Sequence, residues 1–246
     1  MNSEHPEYNR DTNPYPSFGK KYNSERAVIS LTSWKARINT VSKTLYSLLT
    51  QCKGFHIVLV LSEEEFPKMM DELPDNLKLF VDNELIEVLW VFRNYKSFKK
   101  VLFTMDKYRD VPVISADDDC IYTCNYAQEL YDAWTKDKYS ILANETHKDK
   151  YFIWASGGVG VIFPPYIFGK YGIFYLTNQT LLMTNHDDLF FGILSKKLDI
   201  DFKKNPLCKN FKNVMIDTIQ SKMGMGYKKE YSDKSEYIIM KMLMTN

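Results

Sequence analysis

Short apolar runs alternate with helix-like stretches through the first half of the chain, and this alternation restricts the fold more than any other feature. The apolar runs occupy residues 27–31, 57–61, 86–92 and 111–116. Continuous runs of this kind are typical of strands buried on both faces of a parallel sheet. Residues 40–51 and 98–108 carry apolar side chains at helical spacing. The succession predicts the α/β class, with a mostly parallel central sheet flanked by helices.

The second half of the chain is less regular, and the first 25 residues differ from both halves. The pattern predicts a helix near 126–137, a strand at 139–143, a glycine-rich turn at 156–160 before a strand ending at 163, and a helix from about 187 to 198. Residues 1–25 are polar and rich in Pro, Asn and Tyr, as in a tail or arm rather than a core element. We therefore expect an N-terminal arm at 1–25 and a single domain over 26–246.

Composition excludes several classes of protein. The 246 residues are 45% apolar, ample for a globular core, and the net charge of +1 comes without the basic stripe of a nucleic-acid binder. Four cysteines without metal-ligand spacing predict neither a zinc site nor a disulfide framework. No signal-peptide pattern and no run of 18 apolar residues is found. We expect a cytoplasmic protein with no transmembrane segment and no nucleic-acid partner.

Three consecutive aspartates end the apolar run in VPVISADDDCIY. Neighbouring carboxylates repel by about 1 kcal/mol even where water screens well, so a cation is expected close by. In an extended segment Asp117 and Asp119 would point one way and Asp118 the other, giving a hard-oxygen site for Mg²⁺ or Mn²⁺. The carboxyl end of a central strand is also where open α/β sheets bind ligands. The alternative is an acidic turn that caps the next helix. Asp199 and Asp201 share the spacing but follow a helix, which predicts only a solvated connection.

A second acidic pair lies in NHDDLFFGIL, where Asp187 and Asp188 occupy the first turn of the predicted helix. Carboxylates at that position are stabilised by the helix dipole, and they can also serve as a general base. Successive helical side chains diverge by about 100°, so only one of the two should face a cleft, and Asp187 is favoured because it is nearer the free end. The neighbouring His186 is either structural or a third metal ligand.

Two further stretches could contact ligands. In WASGGVGVIFPP, Gly157 and Gly158 are not followed by a phosphate-loop pattern, so they predict a tight turn or close approach of a ligand, with Trp154 either a sugar platform or a core residue. In YKSFKK the basic residues are candidate diphosphate contacts or an ordinary solvated face: Lys96, Lys99 and Lys100. Arg37 follows the first strand, at an edge where it could meet a phosphate.

Four segments in order carry a family resemblance: VISLTSWKARI, IVLVLSEEEFP, the aspartate run and HDDLFF. Together they resemble the bacterial capsule and surface-polysaccharide glycosyltransferases of the GT-A fold, of the family 2 type, over roughly residues 26–200. The resemblance implies one Rossmann-like GT-A domain. Its parts would be a nucleotide-binding part at about 26–124, an acceptor-binding part at about 125–226 and a C-terminal extension at about 227–246.

The same resemblance implies a chemistry for the candidate residues. A UDP-sugar would be bordered by the first strand, ending near Thr32, and by Arg37, with the lysines and Asp117 and Asp118 also on the donor side. Asp119 and Asp117, joined by His186, would hold Mn²⁺ or Mg²⁺ as a DxD motif. Asp187 or Asp188 would be the base of an inverting hexosyl transfer to a glycan or lipid-linked acceptor near Trp154, Gly157 and Gly158. Any membrane contact would be peripheral, at the inner face.

Two other functions compete with glycosyl transfer. A sugar-nucleotide-forming nucleotidyltransferase would also use paired aspartates on Mg²⁺, but it normally has a glycine-rich loop after the first strand, and LTSWKARIN contains no glycine. A non-catalytic carbohydrate-binding protein could hold Ca²⁺ through its aspartates. Such modules are mostly all-β, unlike the alternation found here.

Overall fold

The computed structural model describes residues 26–51, 54–148, 150–168, 186–210 and 215–218. The predicted N-terminal arm and the C-terminal extension lie outside these residues.

Strands and helices follow one another in nearly regular succession. The strands are β1 Ala27–Thr32, β2 Phe55–Ser62, β3 Glu87–Val91, β4 Val113–Ser115, β5 Cys120–Tyr122, β6 Ile141–Ala143, β7 His147–Lys148, β8 Ile153–Trp154, β9 Val161–Phe163, β10 Phe202–Lys204 and β11 Met215–Thr218. The helices are α1 Val41–Leu49, α2 Asp75–Asp82, α3 Lys99–Lys107, α4 Tyr126–Lys136 and α5 Asp187–Lys197, with short 3₁₀ turns at Met69–Glu72, Lys96–Phe98 and Gly157–Val159. None of the helices in the described ranges is long and apolar enough to cross a membrane.

A seven-stranded sheet forms the centre, in the order β10-β6-β9-β4-β1-β2-β3. All neighbouring pairs are parallel except those made by β9, which runs antiparallel to both β4 and β6. The predicted α/β class with a mostly parallel sheet is confirmed. Because β9 is reversed, the turn before it lies at the carboxyl edge of β4, with Val161 opposite Ser115.

Both faces of the sheet are covered, which explains the uninterrupted apolar strands. Ile29 belongs to the core on the face of α1 and α4, whereas its neighbour Val28 belongs to the core on the face of α3 and α5. Successive strand residues point to opposite faces, so each position must be apolar when helices pack on both.

Some elements were not predicted from the sequence. Helix α2 is only eight residues long and buries only Leu77 completely. The antiparallel pairs β5–β11 and β7–β8 involve strands of two to four residues, too short to produce a recognisable alternation.

Candidate active site

The three aspartates lie in a turn between β4 and β5, at the carboxyl edge of the central sheet. The side chain of Asp118 is 8% exposed, while those of Asp117 and Asp119 are 37% and 29% exposed. Asp118 is therefore the most buried of the three aspartates. Asp117 and Asp119 are the carboxylates that remain accessible to a ligand.

Asp118 anchors the turn to the first part of the chain. Its Oδ2 accepts a hydrogen bond from Ser33 Oγ at 2.6 Å, and its Oδ1 pairs with Arg37 Nη1 at 2.7 Å. Thr44 Oγ1 donates to the Asp118 carbonyl at 3.0 Å. Burial raises the pKa of Asp118 to about 6, against the opposing effect of the Arg37 guanidinium. Asp118, a predicted donor contact, thus packs inward against β1 and α1.

Two cations of the same chain neutralise the aspartates. Arg37 Nη1 contacts both Asp118 and Asp119, the latter at 2.6 Å, and Lys100 Nζ contacts Asp117 at 2.6 Å. Asp117 and Asp119 are thus paired with different cations of the protein, and their sharing of a divalent metal ion stays a prediction. The segment is a turn rather than an extended strand, which lets the adjacent Asp118 and Asp119 reach one guanidinium.

Lys100 also joins the aspartate turn to the start of α5. Its Nζ lies 3.2 Å from Asp187 Oδ2 as well as beside Asp117, and the side chain is buried. Burial lowers the pKa of Lys100, but the carboxylates of Asp117, Asp187 and Asp188 outweigh it, so the pKa lies well above its ordinary value. The lysine is charged wherever the neighbouring carboxylates are.

The other two candidate lysines have different surroundings. Lys99 is buried and contacts Glu65 at 3.0 Å and Asn94 Oδ1 at 2.8 Å, and burial lowers its pKa. Lys96 is half-buried at the start of a 3₁₀ turn. An ordinary solvated face therefore does not describe Lys99 or Lys100.

The glycine-rich turn before β9 packs directly on these groups. Gly157 N–H donates to Asp188 Oδ1 at 2.9 Å, and a Cβ added to Gly158 would lie 2.4 Å from Asp117 Oδ2. Tyr122 OH donates to the Gly158 carbonyl at 2.8 Å and accepts from Asp117 N at 2.9 Å. The close approach predicted at these glycines is made here by the protein's own carboxylates.

Asp187 and Asp188 begin α5, as predicted, and lie at the same edge of the sheet as the aspartate turn. Asp187 is buried against Lys100, while Asp188 is half-buried and bound to Gly157. Burial, and then the Asp187 carboxylate, raise the pKa of Asp188 well above its ordinary value. Both carboxylates therefore border one small cavity, which Lys100 and Gly157 also line.

The remaining candidates are less directly connected to this cluster. Among the described residues, no group of three or more His, Cys, Asp and Glu side chains is arranged to hold a metal ion, so His186 does not complete a ligand set with Asp117 and Asp119. Its pKa is lowered by burial. Trp154 stacks on His147 with ring centroids 4.3 Å apart, and Thr32 Oγ1 donates to the Val60 carbonyl at 2.7 Å.

The accessible carboxylates nevertheless suit a divalent cation. One oxygen of each carboxylate contacts a cation of the protein. Of the other two oxygens, Asp119 Oδ1 has a weak contact with Cys120 Sγ at 3.7 Å, and Asp117 Oδ2 has none among the described hydrogen bonds. Mg²⁺ is usually held by one or two carboxylates, with water and substrate phosphates completing its shell. The donor types fit such an ion, and Asp117 and Asp119 stay its predicted protein ligands.

Several functional contacts were missed from the sequence. Ser33 and Tyr122 organise the aspartate turn, but a single hydroxyl in a loop or strand carries no periodic signal. Their positions, two residues after the first apolar run and five after Asp117, become informative only once the strands are paired.

No family model matches this chain, and no curated protein matches it by sequence. Solved structures that resemble it include S. aureus TarS, with a TM-score of 0.48 and 12% identity over 70% of this chain and 33% of that one. The glycosyltransferase GlyE of Streptococcus pneumoniae TIGR4 has a TM-score of 0.44 and 16% identity over 74% of this chain and 45% of that one. GalNAc-T7 with UDP, GalNAc and Mn²⁺ has a TM-score of 0.39 and 17% identity over 48% of this chain and 22% of that one.

The chain thus spans 22% to 45% of the length of these three proteins. At these TM-scores, nothing about donor, acceptor or mechanism follows from the likeness.

Proposed function

We propose that the chain is a GT-A glycosyltransferase that moves a sugar from a UDP-linked donor to a hydroxyl group of a glycan or lipid-linked acceptor, with inversion. The observation that carries this proposal is the meeting of the aspartate turn, Lys100 and the Asp187–Asp188 pair at one edge of the sheet. That edge is where open α/β sheets bind their ligands. The carboxylates proposed to hold the metal ion of the donor diphosphate would then lie next to the carboxylate proposed as the base.

On the donor side, Asp117 and Asp119 would hold Mn²⁺ or Mg²⁺. The bound ion would supply Lewis-acid neutralisation of the departing diphosphate, commonly worth several kcal/mol. Arg37 supports a nearby oxyanion, because its buried Nε has no hydrogen-bond partner among the described residues. An unsatisfied buried donor costs about 1–3 kcal/mol, which a phosphate or ribose oxygen would relieve.

On the acceptor side, Asp187 or Asp188 would take the proton from the acceptor hydroxyl as its oxygen attacks the anomeric carbon. A single displacement of this kind inverts the anomeric configuration. Residues 26–124 would then bind the nucleotide and 125–226 the acceptor. We place the reaction in surface-polysaccharide synthesis, at the cytoplasmic face of the membrane.

Calorimetric titration with UDP, in the presence and absence of Mn²⁺, tests the donor side. We expect Mn²⁺-dependent binding by the wild type and loss of binding in Asp119→Ala, with little change in thermal unfolding because Asp119 is partly exposed and Arg37 keeps its ion pair with Asp118. Asp201→Ala is a matched control from the second Asp-x-Asp, since Asp201 is exposed and pairs with Lys203.

The same titration separates the competing functions. Undiminished binding by Asp119→Ala would remove the metal site from this turn. A preference for UTP together with a sugar 1-phosphate would favour a nucleotidyltransferase. Glycan binding without any nucleotide binding would favour a carbohydrate-binding protein.

A further inference from the structure

A second concave surface, of about 290 Å³, lies beside the candidate active site. One wall is the β7–β8 hairpin, with Lys148 and residues 150–153, and the other is the C-terminal half of α5 with residues 199–202. We call this surface the hairpin groove. Its volume is close to the lower end of the roughly 300–1,000 Å³ found for small-molecule sites.

The groove is a neighbour of the acidic pair rather than a remote feature. Ser195 lines it and lies roughly seven residues beyond Asp188 on the same helix, or about 10 Å along the axis at 1.5 Å per residue. Phe202 lines both the groove and the small cavity that contains Lys100, Asp187 and Asp188. The groove and the acidic pair therefore share one helix and one lining residue.

The two walls are held together at the backbone. A Cβ added to Gly192 of α5 would lie 2.7 Å from the Ile153 carbonyl oxygen and 2.7 Å from Trp154 Cβ. Helix and hairpin thus touch without an intervening side chain. The groove has a fixed width where they meet, because neither wall can shift without the other.

The charge of the groove is positive, because three lysines and two aspartates line it. Lys148 and Lys196, one on each wall, are exposed and form no ion pair with any described residue, and Lys150 lies over the Tyr151 ring at 5.1 Å. Two aspartates also line the groove: Asp201 is paired with Lys203 at 3.0 Å, and Asp199 is exposed. Lysines on opposite walls, without an ion-pair partner among the described residues, suit the anionic groups of a ligand that lies between them.

The groove also offers an aromatic surface. The Tyr151 side chain is 57% exposed at its rim, although it is a large hydrophobic residue. Tyrosine combines an apolar ring with a polar tip, which suits a ligand that is itself amphipathic, such as a sugar ring. The lysines supply the charge recognition and the tyrosine supplies the packing surface.

We propose that the hairpin groove binds the acceptor, and that this acceptor is an acidic glycan bearing carboxylate or phosphate groups. The role of the glycan as an acceptor rests on the proposed glycosyl transfer. Binding of the glycan in the groove needs neither donor nor metal. Lys148 and Lys196 contact anionic groups of the glycan, while its reacting end lies beyond Phe202 at the acidic pair.

The test is a fluorescence or NMR titration of the full chain with tetragalacturonate and with its fully methyl-esterified, uncharged form. We expect the wild type to bind the acid and not the ester, and Lys148→Ala/Lys196→Ala to bind the acid about tenfold or more weakly, a loss of about 1.4 kcal/mol. Lys43→Ala, on an exposed site of α1, should bind like the wild type. The double variant should keep its Mn²⁺-dependent binding of UDP.

Four results would overturn the proposal that the groove binds an acidic glycan. They are no binding of tetragalacturonate, equal binding of its methyl ester, unchanged tetragalacturonate binding by the double variant, or equally strong competition by inorganic phosphate at the same concentration. Lysine-dependent binding to phosphatidylglycerol vesicles without binding of tetragalacturonate would assign the surface to a membrane instead. The proposed function is tested separately: it is wrong if the wild type does not bind UDP. That result would not contradict glycan binding by the groove.

Discussion

Lys100 lies between carboxylates from distant parts of the chain, Asp117 and Asp187. A buried ion pair contributes little net stability, yet removing one partner commonly costs about 3–5 kcal/mol, because the other charge stays buried. Lys100 therefore holds the aspartate turn and the start of α5 in one arrangement. A diphosphate that contacts Lys100 would have to compete with these carboxylates.

The contacts distinguish the two candidate bases more clearly than helix geometry does. Asp187 is buried on Lys100, whereas Asp188 is less buried and accepts a hydrogen bond from a backbone N–H. These contacts favour Asp188 as the base, whereas the helix geometry alone favours Asp187. We expect Asp188→Asn to cut turnover by about 10²–10⁴ with UDP binding intact.

Asp187→Asn is the matched comparison. It should mainly lower the free energy of unfolding, by about 1–3 kcal/mol, because Lys100 loses a charged partner. Turnover at saturating substrates and urea unfolding of both variants measure the two effects. A larger turnover loss in Asp187→Asn would reverse the assignment. A product that retains the donor's anomeric configuration by NMR would replace the single displacement.

At the scale of elements, α5 connects the acidic pair to the rest of the second half. It packs on the turn leading into α3 through Phe98 and Phe190, whose ring centroids are 5.2 Å apart, and on β8 through Gly192. The helix is thus held on two sides. Its first turn is positioned by packing farther along, as well as by Lys100.

Gly192→Ala tests that packing. Alanine is the better helix former by about 1 kcal/mol, but its Cβ would meet a backbone oxygen, and overpacking of this kind typically costs about 1–3 kcal/mol. We expect a net loss in the free energy of unfolding by urea, together with weaker acceptor binding. Lys197→Ala, exposed on the same helix and outside the groove, should stay within about 0.5 kcal/mol of the wild type. A more stable Gly192→Ala would contradict direct helix–hairpin contact.

For the molecule as a whole, the two edges of the sheet differ in what they hold. The candidate active site lies at the carboxyl edge, whereas the amino edge of β2 and β3 holds a buried cluster around Glu87. Glu87 contacts His56 at 3.1 Å and also Lys107, the last residue of α3, and Tyr108, which follows it. Burial raises the pKa of Glu87, but these three partners together hold it below its ordinary value of 4.5. These contacts join the C-terminal end of α3 to β2 and β3.

The lowered pKa predicts a pH dependence with a definite sign. A carboxylate with a depressed folded-state pKa stabilises the fold above its unfolded-state pKa, and that stability is lost as the pH falls through the folded-state value. Glu87→Gln should therefore lower the free energy of unfolding at pH 7 by about 1.5–3 kcal/mol, with the difference narrowing below the ordinary Glu pKa of 4.5.

Urea unfolding between pH 7 and pH 3 measures the difference in the free energy of unfolding between Glu87→Gln and the wild type. Asp82→Asn, at an exposed position, is the control. UDP binding at pH 7 should be unchanged in Glu87→Gln, because the cluster lies at the opposite edge from the aspartate turn. A difference in stability that stays constant with pH would contradict the role assigned to the charge of Glu87.

The α/β class, the strands β1 to β4 and the start of α5 at Asp187 follow from the sequence alone, because apolar periodicity and strand-end polarity are local properties. The position of Asp117 to Asp119 after a buried strand follows for the same reason. The reversal of β9, the burial of Asp118, the sharing of Lys100 and the groove between α5 and the β7–β8 hairpin were decided by the tertiary structure. Each of these depends on contacts between residues far apart in the chain, which no local pattern records.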